Sequence, residues 1–187
     1  MPFLVYIAVS LDGYIARPGG ELDWLPGATP DSPPSPPGED MESYGYDAFM
    51  ARIDTLVLGR ASFEAVRGFT PWPYAGKRVI VLSRTLRSED VPEGAEVWNS
   101  SVGALAEALA GARGVYVDGG QTIQSFLRLG LIDELILTRI PVLIGAGRPL
   151  FGALDADMWL RHVETRSFPG GFVQSVYVRG ERPGAAE

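Results

Sequence analysis

Cysteine is absent from the 187 residues, which excludes disulfides, thiolate metal sites and a cysteine nucleophile. Histidine occurs once, at His162; a multi-histidine zinc or iron site goes with it, as does a second imidazole acid or base. Lysine is also single: Lys77 stands among 16 basic residues that are otherwise arginine, a bias that by itself implies no function. No Lys/Arg run interrupts a net charge of −7, so nucleic acid is not an expected partner. A local arginine cluster can still bind phosphate within an acidic protein. No apolar run approaches the roughly 20 residues that cross a bilayer, and Met1–Ser10 lacks the basic start of a secretory signal. The chain is expected in the cytoplasm, with no membrane partner.

What is present reads as one globular domain over residues 1–180, with a Pro-rich loop at 26–40 and a tail at 181–187. With 46% apolar residues, a chain of this length buries a sizeable core. Phe3–Val9 is too short and too β-branched for a helix and predicts a buried strand. Further strands are predicted at Thr55–Leu58, Lys77–Leu82, Glu96–Trp98, Gly114–Val117, Glu134–Arg139 and Phe172–Tyr177. Tyr46, Phe49, Met50 and Ile53 follow the i, i+3, i+4, i+7 spacing of an amphipathic helix, predicted over Met41–Arg52. Short helices are expected at Ser62–Val66, from a Ser101 cap through Leu109, and from Thr122 to Leu129 with Gly130 as C-cap. Strands alternating with helices predict a three-layer α/β/α fold, its central sheet mostly parallel with an antiparallel C-terminal edge.

In such a sheet ligands bind beyond the carboxyl ends of the strands, where loops and helix starts present backbone N–H groups. Three strand ends carry suitable residues. Gly59-Arg60-Ala61-Ser62 combines a glycine for close approach, a guanidinium clamp and a hydroxyl. Ser83-Arg84-Thr85 repeats the hydroxyl–guanidinium pair. Asp118-Gly119-Gly120-Gln121-Thr122 places a glycine pair between strand and helix, suited to a pyrophosphate. Taken singly each is equally a turn with a solvated arginine or a tight packing point, and none is the G-x-G-x-x-G fingerprint. At three separate strand ends they point together to a dinucleotide. Two arginine-bearing ends suit the extra 2′-phosphate of NADP better than NAD.

Five segments carry a resemblance: Val9-Ser-Leu-Asp-Gly-Tyr-Ile-Ala16, Val57-Leu-Gly-Arg-Ala-Ser-Phe-Glu64, Val79-Ile-Val-Leu-Ser-Arg84, Val117-Asp-Gly-Gly120 and Pro141-Val-Leu-Ile-Gly-Ala-Gly-Arg-Pro-Leu-Phe151. On these, residues 3–151 resemble the reductase (C-terminal) domain of the bacterial riboflavin-biosynthesis deaminase-reductase, within the dihydrofolate reductase-like superfamily. The resemblance implies the dihydrofolate reductase-like fold, NADPH as cofactor, a small pyrimidine-, pterin- or related substrate, and a homodimer. It implies Ala8 and Ile15 beside the nicotinamide. Gly59, Arg60, Ser62, Ser83 and Arg84 fall at the adenosine phosphate, and Gly119, Gly120, Gln121 and Thr122 at the pyrophosphate. Gln121 stands where folate reductases often have arginine.

Folate reductases place an acid on the helix after the long loop. Here Tyr44, Gly45, Tyr46 and Asp47 occupy that turn, and Asp47 is the nearest carboxylate; as a first-turn helix residue it equally suits a solvated surface. Thr138 matches a threonine that supports that acid. Asp12 reads as an organiser of the turn after the first strand, Trp24 as a lid or loop anchor, and Trp72 and Tyr74 as a stacking platform or loop pins. His162 has no partner in a catalytic arrangement, and Arg139 and Arg148 are the candidates for a substrate phosphate. Two functions fit: an NADPH-dependent reductase, or a nucleotide-binding sensor that keeps the fold without turnover.

Overall fold

In a computed structural model of the chain, residues 1–27 and 44–182 are described. Ten strands and four α-helices follow one another: β1 (Phe3–Ser10), β2 (Tyr14–Ala16), α1 (Tyr46–Ala51), β3 (Thr55–Gly59), α2 (Arg60–Val66), β4 (Arg78–Leu82), β5 (Ala95–Trp98), α3 (Val102–Ala108), β6 (Val115–Asp118), α4 (Gly120–Arg128), β7 (Ile132–Ile140), β8 (Arg148–Pro149), β9 (Leu160–Ser167) and β10 (Val173–Arg179). Eight strands form one sheet in the order β5-β4-β3-β6-β1-β7-β10-β9. From β5 to β7 every pair is parallel, and β10 pairs antiparallel with both β7 and β9. This is the expected fold.

The apolar runs form strands because both faces of the sheet are covered. On one face, Leu4, Leu56, Leu58, Tyr116 and Ile136 pack against Phe49 and Ile53 beside α1 and Phe63 of α2. On the other, Val5, Val57, Val117, Leu135 and Leu137 pack against Leu105 and Leu109 near α3 and Ile123 and Phe126 of α4. Lys77 closes the end of α1, its ammonium donating to the carbonyls of Met50 (2.9 Å) and Ile53 (2.7 Å). The crossovers through α1 and α2 carry the chain from β1 to β3 and β4; those through α3 and α4 return it from β5 to β6 and across to β7. Neighbouring β1 and β6 therefore send their outgoing connections in opposite directions. That divergence opens a crevice at their carboxyl ends.

Several boundaries differ from the sequence expectation. The helix expected over Met41–Arg52 is only six residues long, because Gly45 precedes it at φ 82°; residues 41–43 lie outside the described ones. Helices α2 and α4 each begin two residues early, at Arg60 and Gly120. Ser101 caps α3 as expected, accepting from the Ala104 N–H at 3.1 Å, and Gly130 sits beyond α4 at φ 62°. Strand β9 was not anticipated: all eight residues are exposed, so no buried face imposes an alternating pattern. Of the Pro-rich segment 26–40 only residues 26 and 27 are described, and 183–187 of the tail also fall outside.

Candidate active site at the carboxyl ends of the sheet

The three candidate phosphate loops follow β4, β3 and β6, adjacent strands. Two of them touch through glycines. A Cβ on Gly59 would lie 2.7 Å from Thr122 Oγ1, and one on Gly119 would lie 2.6 Å from Ser62 Oγ. Gly119, at φ 97° and ψ 131°, is the N-cap of α4. The starts of α2 and α4 are thus interlocked side by side, and neither first turn holds an acid. The two helix starts bring their first-turn N–H groups to one corner, and the Asp118 carboxyl lies directly before it, accepting from the Gly119 N–H and the Ser62 hydroxyl.

The third loop is tied in by Arg60, whose Nη1 donates to Thr85 Oγ1 at 2.8 Å while its Nε donates to Glu64 Oε1 at 2.7 Å. Ser83 Oγ accepts from the N–H groups of Thr85 and Leu86, which shapes the turn that exposes Arg84. Thr122 is buried and seals the contact with Gly59, whereas Gln121 is exposed. Ile15 sits beside the same corner: β2 pairs with β8, and a Cβ on Gly120 would meet Ile15 Cδ1 at 2.6 Å. Asp12 organises the neighbouring turn, accepting from Ser10 Oγ (2.6 Å), Ile144 N (3.3 Å) and Gly145 N (2.8 Å). The Ser10 hydroxyl, and then these backbone donors, hold its carboxyl below the usual range.

Beside that corner, on the α1 face of the sheet, lies a polar patch. Ala8, Thr138 and Gln174 are register partners across β1, β7 and β10. Gln174 Nε2 donates to Thr138 Oγ1 at 3.0 Å and to Tyr6 Oη at 3.3 Å, and Tyr6 Oη donates to the Tyr44 carbonyl at 3.0 Å. Trp24 is buried with Ile140 and Phe172, against Ala8, Tyr44 and Phe168, and the Tyr44 ring lies 4.7 Å from that of Phe168. This aromatic cover closes the patch. Two hollows, of about 410 and 350 Å³, lie at the opposite end of the molecule, by Pro2 and Arg52 and by Arg128 and Asp155.

Asp118, at the tip of β6, is half-buried, while Asp47 is exposed on α1. Burial raises the Asp118 pKa, partly opposed by the Gly119 N–H and the Ser62 hydroxyl. Burial and then the Asp118 charge push the Tyr46 hydroxyl up to about 12. A carboxyl whose pKa is raised by burial at a strand end is a candidate proton carrier.

Residues 3–174 match the RibD C-terminal domain family. The chain belongs to this family. It is 36% identical over 180 residues to the uncharacterized protein YwjB of Bacillus subtilis, covering 94% of this chain and 97% of that one. Dihydrofolate reductase HdrB of Haloferax volcanii is 33% identical over 138 residues, covering 71% of this chain and 67% of that protein. A crystal structure of a putative riboflavin biosynthesis protein from Shewanella sp. PV-4 superposes with a TM-score of 0.82 at 38% identity, covering 97% and 100% of the two chains. The RibD C-terminal and dihydrofolate reductase-like domains are reductase folds.

Within this RibD C-terminal fold, the other residues singled out from sequence lie apart from the site or brace it. Arg148 donates to the carbonyls of Pro18 and Gly19, and strand alternation puts Arg139 on the face opposite Thr138. His162 bonds Thr165 Oγ1 on the outer strand β9. Tyr74 is buried, with Trp72 edge-on at 5.4 Å, in the α1–α2 layer. Sequence reasoning missed Asp118, Tyr6 and Gln174 as candidate site residues. Asp118 was visible as an acid immediately before a glycine pair; Gln174 as a polar residue inside an apolar strand.

Proposed function

We propose that the protein is an NADPH-dependent reductase of a small heterocyclic substrate. The observation that carries this reading is the interlocked pair of helix starts, α2 and α4, free of acids in their first turns. Such a corner fits a pyrophosphate: the N–H groups of Gly120 and Gln121 would face it, and Gly119, without a side chain, would let it approach. Arg60 and Arg84 would take the 2′-phosphate, with Ser62 and Ser83 beside them and Thr122 bracing from below. Ala8 and Ile15 would flank the nicotinamide ring. When bound, the reduced nicotinamide supplies a hydride.

The chain's own groups supply position and a proton. Thr138, Gln174 and Tyr6 would orient the substrate over the α1 face of β1 and β7, while the aromatic cover of Trp24, Tyr44 and Phe168 excludes water. Asp118, whose pKa is raised by burial, would deliver a proton to the substrate nitrogen or oxygen whose carbon receives the hydride. The names dihydrofolate reductase and putative riboflavin biosynthesis protein among its relatives support a pterin or pyrimidine ring. With Arg148 engaged by backbone carbonyls, Arg139 on the far face, and no lysine or arginine in residues 28–43, a substrate without its own phosphate fits better than a ribosyl phosphate.

The test is titration with NADPH and NADH by fluorescence quenching, followed by cofactor oxidation with a panel of pyrimidines and pterins. Arg60→Ala and Arg84→Ala should weaken NADPH much more than NADH, and equal losses would mean that the 2′-phosphate lies elsewhere. Failure to bind either nucleotide would sink the reading.

A further inference from the structure

The hydrogen-bond chain that crosses β1, β7 and β10 has a direction, and that direction has a free end. Tyr6 has one hydroxyl proton, which it gives to the Tyr44 carbonyl, a group that can only accept. Tyr6 Oη must therefore accept from Gln174, so the amide nitrogen, not the amide oxygen, faces it. The same NH2 group then donates its second proton to Thr138 Oγ1. Thr138 thus receives a hydrogen bond from Gln174, and its own proton has no acceptor among the described residues. Thr138 and Gln174 are each only 6% exposed, so water does not freely take that proton. A buried hydroxyl is rarely left in this state without a partner to come.

A second donor close by is also without an acceptor. Trp24, 5% exposed, has a buried Nε1–H with no partner among the described residues. It packs on Ile140 and Phe172 and against Ala8; Ile140 lies two residues beyond Thr138 on the same face of β7, and Phe172 immediately precedes β10, two residues before Gln174. Two unmatched donors from different parts of the chain share one end of one sheet face.

We propose that Gln174 is a positioning residue that fixes Thr138 as a hydrogen-bond donor, so that the pocket recognises a carbonyl oxygen on its substrate and rejects an amino group in the same place. The inference rests on the reductase reading for the identity of the pocket but not on turnover. A carbonyl oxygen accepts from Thr138 and Trp24; an amino group presents its protons to donors and leaves all of them unmatched. Discrimination of this kind is steep because the mismatched ligand strands buried polar groups on both sides.

An isosteric pair of ligands tests it: 2,4-dioxopteridine and 2,4-diaminopteridine, titrated against the full chain with and without saturating NADPH. The wild type should bind the dioxo compound at least about tenfold more tightly, the worth of one hydrogen bond to a buried partner. Thr138→Val should cut that ratio about tenfold and Thr138→Ser should restore it. Gln174→Glu offers only acceptors to Thr138 when ionised, draws the Thr138 proton inward, and should lower or invert the ratio. A ratio of two affinities is insensitive to general loosening, and urea midpoints identify any variant that fails to fold. Preference for the diamino compound, a ratio unchanged in both Thr138→Val and Gln174→Glu, or failure to bind either pteridine would overturn the proposal. NADPH binding is read in the same titrations, so an indifferent ratio with NADPH bound sinks this inference alone, whereas loss of NADPH binding sinks the reductase reading.

Discussion

Replacing Gly119 with alanine probes the corner where α2 and α4 meet. At φ 97° and ψ 131° the backbone is outside the wells open to a residue with a side chain, and forcing one there costs about 1–3 kcal/mol. The new methyl would also stand 2.6 Å from Ser62 Oγ. Ser62 would have to turn away from the Asp118 carboxyl, a further loss of about 1 kcal/mol. Gly119→Ala should therefore destabilise the fold by roughly 2–4 kcal/mol, read as a shift in urea midpoint at unchanged slope. NADPH affinity should fall with it, because Ser62 and the first N–H groups of α4 move together. Gly103→Ala is the control: it lies in α3 with nothing within 4 Å of its added Cβ, and should stabilise by up to about 1 kcal/mol. A Gly119→Ala midpoint within about 0.5 kcal/mol of wild type, the range of an ordinary surface change, would refute the account of the corner.

Asp118→Asn should separate stability from activity. Burial raises the Asp118 pKa, so the folded chain holds that proton more tightly than the unfolded chain does. Its contribution is present below the ordinary carboxylate value and lost as pH rises through the raised one. A neutral amide at this position escapes that loss, so the variant should be more stable than wild type at neutral pH, by a margin that closes at acid pH, while cofactor oxidation falls about 100-fold. Lower stability at neutral pH would contradict this. Asp12 titrates the other way: its carboxyl is held below the usual range, and its contribution is lost as pH falls through that lowered value. Asp12→Ala should speed amide exchange at Gly145, whose N–H it accepts, and unchanged exchange would mean that the loop holds itself. Lys77→Arg should cost about 1–2 kcal/mol in a urea titration, because a planar guanidinium cannot reproduce two short bonds to converging carbonyls; a neutral outcome would assign the end of α1 to packing alone.

The layers and strand directions were legible because the buried strands are continuous apolar runs, with helical spacing over residues 46–53 and capping residues such as Ser101 and Gly130 marking helices between them. The three strand-end loops were legible for a similar local reason: glycine next to arginine or hydroxyl is visible in one short segment. Two things were not. Strand β9 is exposed on every residue, so nothing in Leu160–Ser167 alternates, and its place follows from pairing with β10. The polar patch joins Tyr6, Tyr44, Thr138 and Gln174, residues up to 168 positions apart, which only the sheet register brings together. Asp47 drew attention because it lies on the expected helix; Asp118 went unweighed because an acid before a glycine pair also makes an ordinary turn. What packs over the end of β6 is a tertiary property.

The opposite headings of the connections leaving β1 and β6 divide the proposed work between two halves of one sheet. The candidate phosphate loops belong to β3, β4 and β6, all on one side of β1, whereas Thr138 and Gln174 belong to β7 and β10 on the other. Each half is anchored to its own strands, so substitutions that reshape the β7–β10 side leave the glycine-locked corner intact. On the proposed reading, such a scaffold can exchange one substrate for another, generation by generation, while the nucleotide corner stays fixed.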